Sequence, residues 1–388
     1  MSEKPQKALL PAGLTDKLPP DAAHEAAIVG RLMDCLAAHG YQRVDPPLIE
    51  FEDNLLAAAG ADMADDTFRI MDPVSQRMMG VRADMTMQVA RIAATRLGRQ
   101  PRPLRLCYAG DVLRVRGSQL RPERQFAQVG AELIGFGPEA ADIRADVEIV
   151  SLAAAGLDAV GIPDPTIDLG SPSLVREAFA AFGLDHRLPG LLRDALDHKD
   201  VAAVRSAGGE AAPLLVGLLG AAGEAEDAIG RLEKIDLPPA ARAQAERLGI
   251  VARRVRERLP ELRLSIDPVE NRGFEYHTAF SFAAFSRHAR GELGRGGRYR
   301  VGGDSLGAEP GTGFTLFMDS VVRAAPAPDR QRTVFVPPDA PADTADRLRA
   351  EGWVAIAGLA DGDDPRDEAR RLGCSHFWRD GAAIPSAD

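Results

Sequence analysis

The chain has 388 residues, 45% apolar and 27% charged, with a formal net charge of −10. That is the make-up of a soluble globular protein long enough for more than one domain. It argues against a chain that lives by gripping nucleic acid, which carries a basic footprint, and no apolar run approaches a membrane span.

The N-terminal MSEKPQKALLPAG lacks the long apolar core of a secretory signal, so the cytoplasm is the expected location. Cys35, Cys107 and Cys374 form no C-x-x-C pair and read as reduced, buried thiols. The seven histidines show no metal-ligand spacing, and no G-x-x-x-x-G-K-[ST] phosphate loop is present. No metal and no cofactor is expected.

Leu10–Pro20 is a proline-punctuated lead-in. Asp21 reads as the N-cap of a helix running to about His39, with Ile28, Leu32, Cys35 and Leu36 as its apolar stripe and Gly40 as its stop. Tyr41–Val44 reads as a short strand ended by Asp45-Pro46-Pro47, because proline cannot donate to a ladder. This segment suits either an ordinary edge strand or a two-fold subunit contact. Phe68–Met71 and Arg77–Arg82 read as a hairpin across Asp72-Pro73-Val74-Ser75. A helix over Met87–Leu97 follows, with Val89, Ile92 and Ala93 inward and Gly98 as a stop. Just before it, Arg82, Asp84 and Thr86 alternate. A carboxylate and a hydroxyl there suit an ammonium group, and Thr86 equally suits a helix cap.

The stretch Cys107–Phe136 reads as a strand, a polar loop and a second strand. Period-two alternation puts Val112, Arg114 and Arg116 on one face of the first strand. It puts Arg124, Phe126, Gln128, Gly130 and Glu132 on one face of the second. The result is a polar, cationic floor: either a solvated face or parts for holding a small zwitterion or a nucleotide.

Glu139–Ala155 reads as an amphipathic helix and Thr166–Leu169 as a strand. Residues 171–262 read as a helical insertion without visible chemistry, and the run Arg253-Arg254-Val255-Arg256-Glu257-Arg258 as a solvated helix face. The sheet resumes at Leu262. Glu270–Phe285 carries a strand alternating Phe280, Phe282 and Ala284, preceded by Arg272 beside Gly273. Glu292–Gly303 reads as a glycine-softened strand lining a pocket, not a dinucleotide fingerprint. Gly311–Ala325 is a glycine-rich strand leading into a helix. After a linker at Pro326–Arg332, strands at 333–336, 353–357 and 375–378 alternate with helices at 342–350 and 365–372, which predicts a small parallel βαβαβ unit.

In order, the helix–strand–Pro segment, VRADMT, LRVR…RQFAQVGAELIG, RGFEYHT, GGRYR and GTGF resemble the catalytic core of class II histidyl-tRNA synthetases, from about Leu10 to Val322 apart from the insertion. The resemblance implies an α+β fold, an antiparallel sheet flanked by helices, over residues 1–325, dimerising through the first helix and strand. It implies a histidine pocket made of Asp84, Thr86, Arg114, Gln128, Glu132, Arg272, Tyr276, His277 and Tyr299. His277 stands where the synthetases usually carry Tyr, and Asp84 where they carry Glu.

The nucleotide side departs from the synthetases. Arg116 replaces the Glu of their R-x-E, Pro122 stands where a basic residue is expected, and Ser320 replaces the Arg that ends the third motif. The unit at 333–388 resembles a truncated beginning of the anticodon-binding domain. Kept amino-acid contacts beside lost nucleotide contacts resemble the ATP phosphoribosyltransferase regulatory subunits, inert paralogues of the synthetases. LPAGLTDKLPP, VRADMTMQVARI and GFTLFMD are also more similar to that family.

Membership implies no catalytic residue in this chain, a short-form ATP phosphoribosyltransferase catalytic subunit as partner, a dimer within a hetero-octamer, and L-histidine as effector in the first step of histidine biosynthesis. Two other readings stay open: a working or degenerate histidyl-tRNA synthetase, and a free-standing histidine-sensing or RNA-binding regulator.

Overall fold

Ile28, Leu32 and Leu36 recur at helical spacing, and their burial seats helix α1 (Asp21–Ala38) on the sheet. The computed structural model describes residues 10–56, 61–118, 121–137, 139–182, 190–270, 279–301, 308–328, 330–359 and 364–387. They fall into two compact units, residues 1–326 and 327–388. Among the described residues no helix is long and apolar enough to cross a membrane.

The first unit continues with β1 (Gln42–Arg43), β2 (Ile49–Phe51), α2 (Glu52–Leu56), α3 (Ala61–Asp66), β3 (Arg69–Met71), β4 (Met78–Val81) and α4 (Thr86–Thr95). Then come β5 (Leu104–Leu113), β6 (Gln125–Ile134), α5 (Glu139–Ala159) and β7 (Thr166–Gly170). The insertion holds α6 (Pro172–Ala180), α7 (Gly190–Asp197), α8 (Val201–Ala207), α9 (Ala212–Ala221), β8 (Gly223–Glu224), α10 (Ala225–Leu232) and α11 (Pro239–Arg258). The sheet is completed by β9 (Arg263–Asp267), β10 (Ser281–Phe285), β11 (Gly294–Val301) and β12 (Glu309–Phe317), and α12 (Met318–Ala324) closes the unit.

Nine of these strands make one sheet in the order β1-β5-β6-β12-β11-β10-β7-β9-β8. Its centre is antiparallel, while β1 runs parallel to β5 and β7 parallel to β9. β6 is buried on both faces. Ala127, Val129, Ala131 and Leu133 join the core shared with α1 and α5. Phe126 and Ile134 face the other way, into a second cluster with Leu106, Tyr108 and Val112 of β5 and Met87, Val89 and Ala93 of α4. The segment leading into α4 therefore roofs the face of β5 and β6 that carries Gln128 and Glu132.

Four expectations need correction. Asp21 is the first helical residue, and no side chain caps α1. Thr86 is likewise no cap; Asp84 Oδ1 accepts its backbone N–H at 2.8 Å. Arg116 does not continue the face of Val112 and Arg114, the latter holding its guanidinium 5.3 Å from the Phe126 ring centroid. Arg114 N–H still bonds to Arg124 O, but Val115 N–H turns to Asp66 O at the end of α3, and Arg116 is left exposed. The floor is thus buried and polar at Gln128 and Glu132, with Arg114 beside Phe126 and without Arg116.

The fourth correction lies in the second unit. β13 (Thr333–Val336), α13 (Thr344–Ala350), β14 (Val354–Ala357), α14 (Pro365–Arg371) and β15 (His376–Arg379) form the parallel part. A further strand, β16 (Ala382–Pro385), pairs antiparallel with β15, so the sheet is mixed, in the order β14-β13-β15-β16. Val334, Val336 and Leu348 are buried together, as are Phe335, Ala369, Cys374 and Phe377.

Candidate functional site

The register of β5 on β6 sets the floor, pairing Leu106 with Glu132, Tyr108 with Gly130 and Val112 with Phe126. On the other side of β6, β12 pairs Gly313 with Glu132 and Thr315 with Gly130. Tyr108, Glu132 and Thr315 are thereby gathered from three adjacent strands. Two glycines make room for them. A β-carbon on Gly130 would meet the Tyr108 ring at 2.4 Å, and one on Gly313 would meet Glu132 Oε2 at 1.8 Å.

Glu132 is 1% exposed. Tyr299, from β11, donates its hydroxyl to Oε2 at 2.7 Å, and Tyr108 donates to Oε1 at 3.2 Å. The Tyr108 hydroxyl also meets Thr315 Oγ1 at 2.7 Å and Thr86 Oγ1 at 3.3 Å. Burial pushes Glu132 up to about 8; the tyrosine hydroxyls hold it down and the charge of Asp84 raises it. The Tyr108 hydroxyl is pushed up too, again mainly by burial.

The roof supplies the second carboxylate. Asp84 Oδ2 accepts from Gln128 Nε2 at 3.0 Å, and Gln128 Oε1 accepts the Met85 N–H at 3.2 Å. Gln128 thus ties floor to roof. Among the described residues no lysine or arginine pairs with Asp84 or Glu132. Two buried carboxyl groups held by neutral donors make a receptor for a cationic group such as an ammonium or an imidazolium.

Of the residues expected from the sequence, the structure brings Asp84, Thr86, Gln128, Glu132 and Tyr299 into this network. Arg114 stands beside it: its Nε points to Ala83 O at 3.4 Å, and its guanidinium lies 5.3 Å from the Phe126 ring centroid. Arg272, Tyr276 and His277 lie outside the described residues. Arg82 serves the backbone, donating to Asp111 O and Pro46 O at 2.7 Å each. Tyr108 and Thr315 were missed. Alternation back along β5 from Val112 puts Tyr108 on this face; Thr315 had no local signal.

Beyond Phe126 this face of the sheet changes character. Ser320 is buried at the start of α12. Arg121 forms an ion pair with Asp319 at 3.0 Å and lies over the Phe317 ring, 3.9 Å from its centroid. Arg116 is exposed.

The histidyl-tRNA synthetase family model matches residues 13–321. The ATP phosphoribosyltransferase regulatory subunit of Paramagnetospirillum magneticum is 55% identical over 376 residues, covering 97% of each chain. That of Rhodospirillum centenum is 54% identical, covering 97% of this chain and 96% of its own. Among solved structures, one titled ATP phosphoribosyltransferase regulatory subunit/histidyl-tRNA synthetase, from Bacillus halodurans, superposes with a TM-score of 0.79 at 23% identity, covering 95% of this chain and 97% of its own. Histidyl-tRNA synthetase from Nostoc gives 0.77 at 18% identity, covering 97% and 92%. Those two likenesses establish the class II synthetase fold. On these sequence relatives, the chain belongs to the ATP phosphoribosyltransferase regulatory subunit family, on a histidyl-tRNA synthetase fold.

Proposed function

We propose that this chain is a non-catalytic subunit that binds the short-form ATP phosphoribosyltransferase catalytic subunit, activates it, and makes the first step of histidine biosynthesis sensitive to L-histidine. The names of its relatives support the partner. The single observation that carries the rest is the asymmetry between the two ends of this sheet face. Asp84, Gln128, Glu132 and Tyr299 form one bonded amino-acid half. At the other end stand an exposed Arg116 and a Ser320 in place of nucleotide contacts. Charge-assisted contacts contribute about 1.5–3 kcal/mol each, so losing two removes the means of positioning an α-phosphate.

In this reading histidine sits with its cationic groups toward Asp84 and Glu132 and its carboxylate toward Arg114. Thr86 and Gln128 hold the acids in place, and Arg272, Tyr276 and His277 complete the pocket. Regulation requires that histidine bind one state of the complex better than another, by about 1–3 kcal/mol in typical cases. Self-association runs through α1 and β1 as an isologous contact, within a hetero-octamer.

Co-expression with a short-form catalytic subunit tests the proposal. A stable complex with phosphoribosyltransferase activity above that of the catalytic subunit alone, reduced by histidine, is expected. No complex and no gain in activity overturns it. Histidine-dependent ATP–pyrophosphate exchange at rates typical of synthetases would favour a working synthetase instead.

A further inference from the structure

The loop between β5 and β6 is tied down on α12 by two ion pairs. Arg121 Nε lies 3.0 Å from Asp319 Oδ2, and Arg323 Nη1 lies 3.0 Å from Glu123 Oε1. Arg323 also reaches Asp319 Oδ2 at 3.1 Å, so one carboxylate serves two guanidinium groups. The Arg121 and Asp319 side chains are only 14% and 7% exposed. This is not a surface pair that solvent screens into insignificance.

The tether determines where the flat guanidinium goes. It lies 3.9 Å from the Phe317 centroid and 5.1 Å from that of Phe126. The two rings stand edge to face, 6.1 Å apart at 83°, and make a two-sided aromatic corner. Arg121 Nη2 turns toward Ser320 Oγ and the Glu292 carbonyl, each at 3.4 Å. Burial pulls the guanidinium pKa down, and Asp319 is the main influence raising it.

A guanidinium and a nucleobase share a shape and a preference: both are flat, and both stack on aromatic faces. We infer that Arg121 is a built-in occupant of a base-stacking site, filling with its own guanidinium the space over Phe317 and Phe126 that a planar purine would take. The inference rests on the non-catalytic reading above and deepens it: the nucleotide half of this sheet face is filled, not merely stripped of contacts. It also links two departures from the synthetases. A serine at 320 leaves room for Arg121 Nη2, whereas an arginine there would crowd a third guanidinium around Asp319.

Adenosine is the probe, because it is planar and uncharged and so meets no repulsion from Asp319. Saturation-transfer NMR and competition titrations on the full-length chain compare wild type with Arg121→Ala and Asp319→Asn. The second variant keeps the volume and weakens the pairs of Asp319 with Arg121 and Arg323, while the Arg323–Glu123 pair stays. Arg121→Ala is expected to bind adenosine at least about tenfold more tightly than wild type, with Asp319→Asn in between, as base stacking on a freed aromatic face requires. Wild type binding adenosine as tightly as the variants overturns the inference. So does the absence of any gain in variants whose circular dichroism and melting match the folded protein. If Arg121→Ala fails to fold, Asp319→Asn decides by the same criterion. The assay uses neither the catalytic partner nor ATP turnover, so its failure is distinct from failure to assemble or activate.

Discussion

Gly313 faces Glu132 across the β6–β12 ladder so closely that a β-carbon on it would stand 1.8 Å from Glu132 Oε2. The backbone oxygen of Ala131 is 2.6 Å from the same point, so Gly313→Ala cannot be absorbed by the carboxylate swinging aside. Overpacking of this kind costs about 1–3 kcal/mol. We expect urea denaturation of Gly313→Ala to show a loss in that range, with histidine affinity falling at least about tenfold as Glu132 is displaced. A variant with wild-type stability and affinity would mean that Glu132 is not held where the structure has it.

The raised pKa of Glu132 carries a pH signature. Its folded value is about 8, against about 4.3 for an unperturbed glutamate. Between the two, the folded chain holds a proton that the unfolded chain has lost. The associated stability is fully present below the unfolded value and is lost as pH rises through the folded one, by about 5 kcal/mol at most. Glu132→Gln stays neutral throughout. Denaturation midpoints of wild type should therefore fall relative to Glu132→Gln from about pH 5 to about pH 8 and run parallel above that. Parallel curves over the whole range would contradict the buried, proton-holding carboxyl.

A second buried charge sits between the insertion and the site. Asp146 of α5 has a fully buried side chain; it lies 2.7 Å from Arg298 of β11 and 3.4 Å from Arg247 of α11. Arg298 adjoins Tyr299, which donates to Glu132. Removing Asp146 takes away an acid shared by two largely buried guanidinium groups, a change that costs about 3–5 kcal/mol. Asp146→Ala should lower the urea midpoint accordingly with the slope unchanged. A loss well under about 1 kcal/mol would show that solvent reaches the triad.

How much of the site was legible follows from where its contacts come from. Gln128 and Glu132 were readable because they alternate along one strand, and Asp84 and Thr86 because they stand together at the start of a helix. Alternation also puts Arg114 on the face of Phe126, where its guanidinium lies, but it does not place Arg116. Periodicity does not reveal that Val115 leaves the ladder for Asp66, fifty residues back. Tyr108 and Thr315 depend on a register between strands some 200 residues apart, which no local pattern encodes. β16 escaped notice because it is short and ends in Pro385, a residue tolerated there since the strand is an edge. The insertion was the easier case: Ile229, Leu232, Val251 and Val255 lie on buried faces of helices whose period shows directly in the chain.

The account turns on histidine occupying the pocket of Asp84, Gln128 and Glu132, and calorimetric titration of histidine into the reconstituted complex tests it most directly. With wild type and Glu132→Ala compared under the same conditions, the dissociation constant of the variant is expected to rise at least about tenfold, the loss of a buried hydrogen-bonding partner. An unchanged dissociation constant in a folded, assembled variant would place histidine elsewhere and contradict the account.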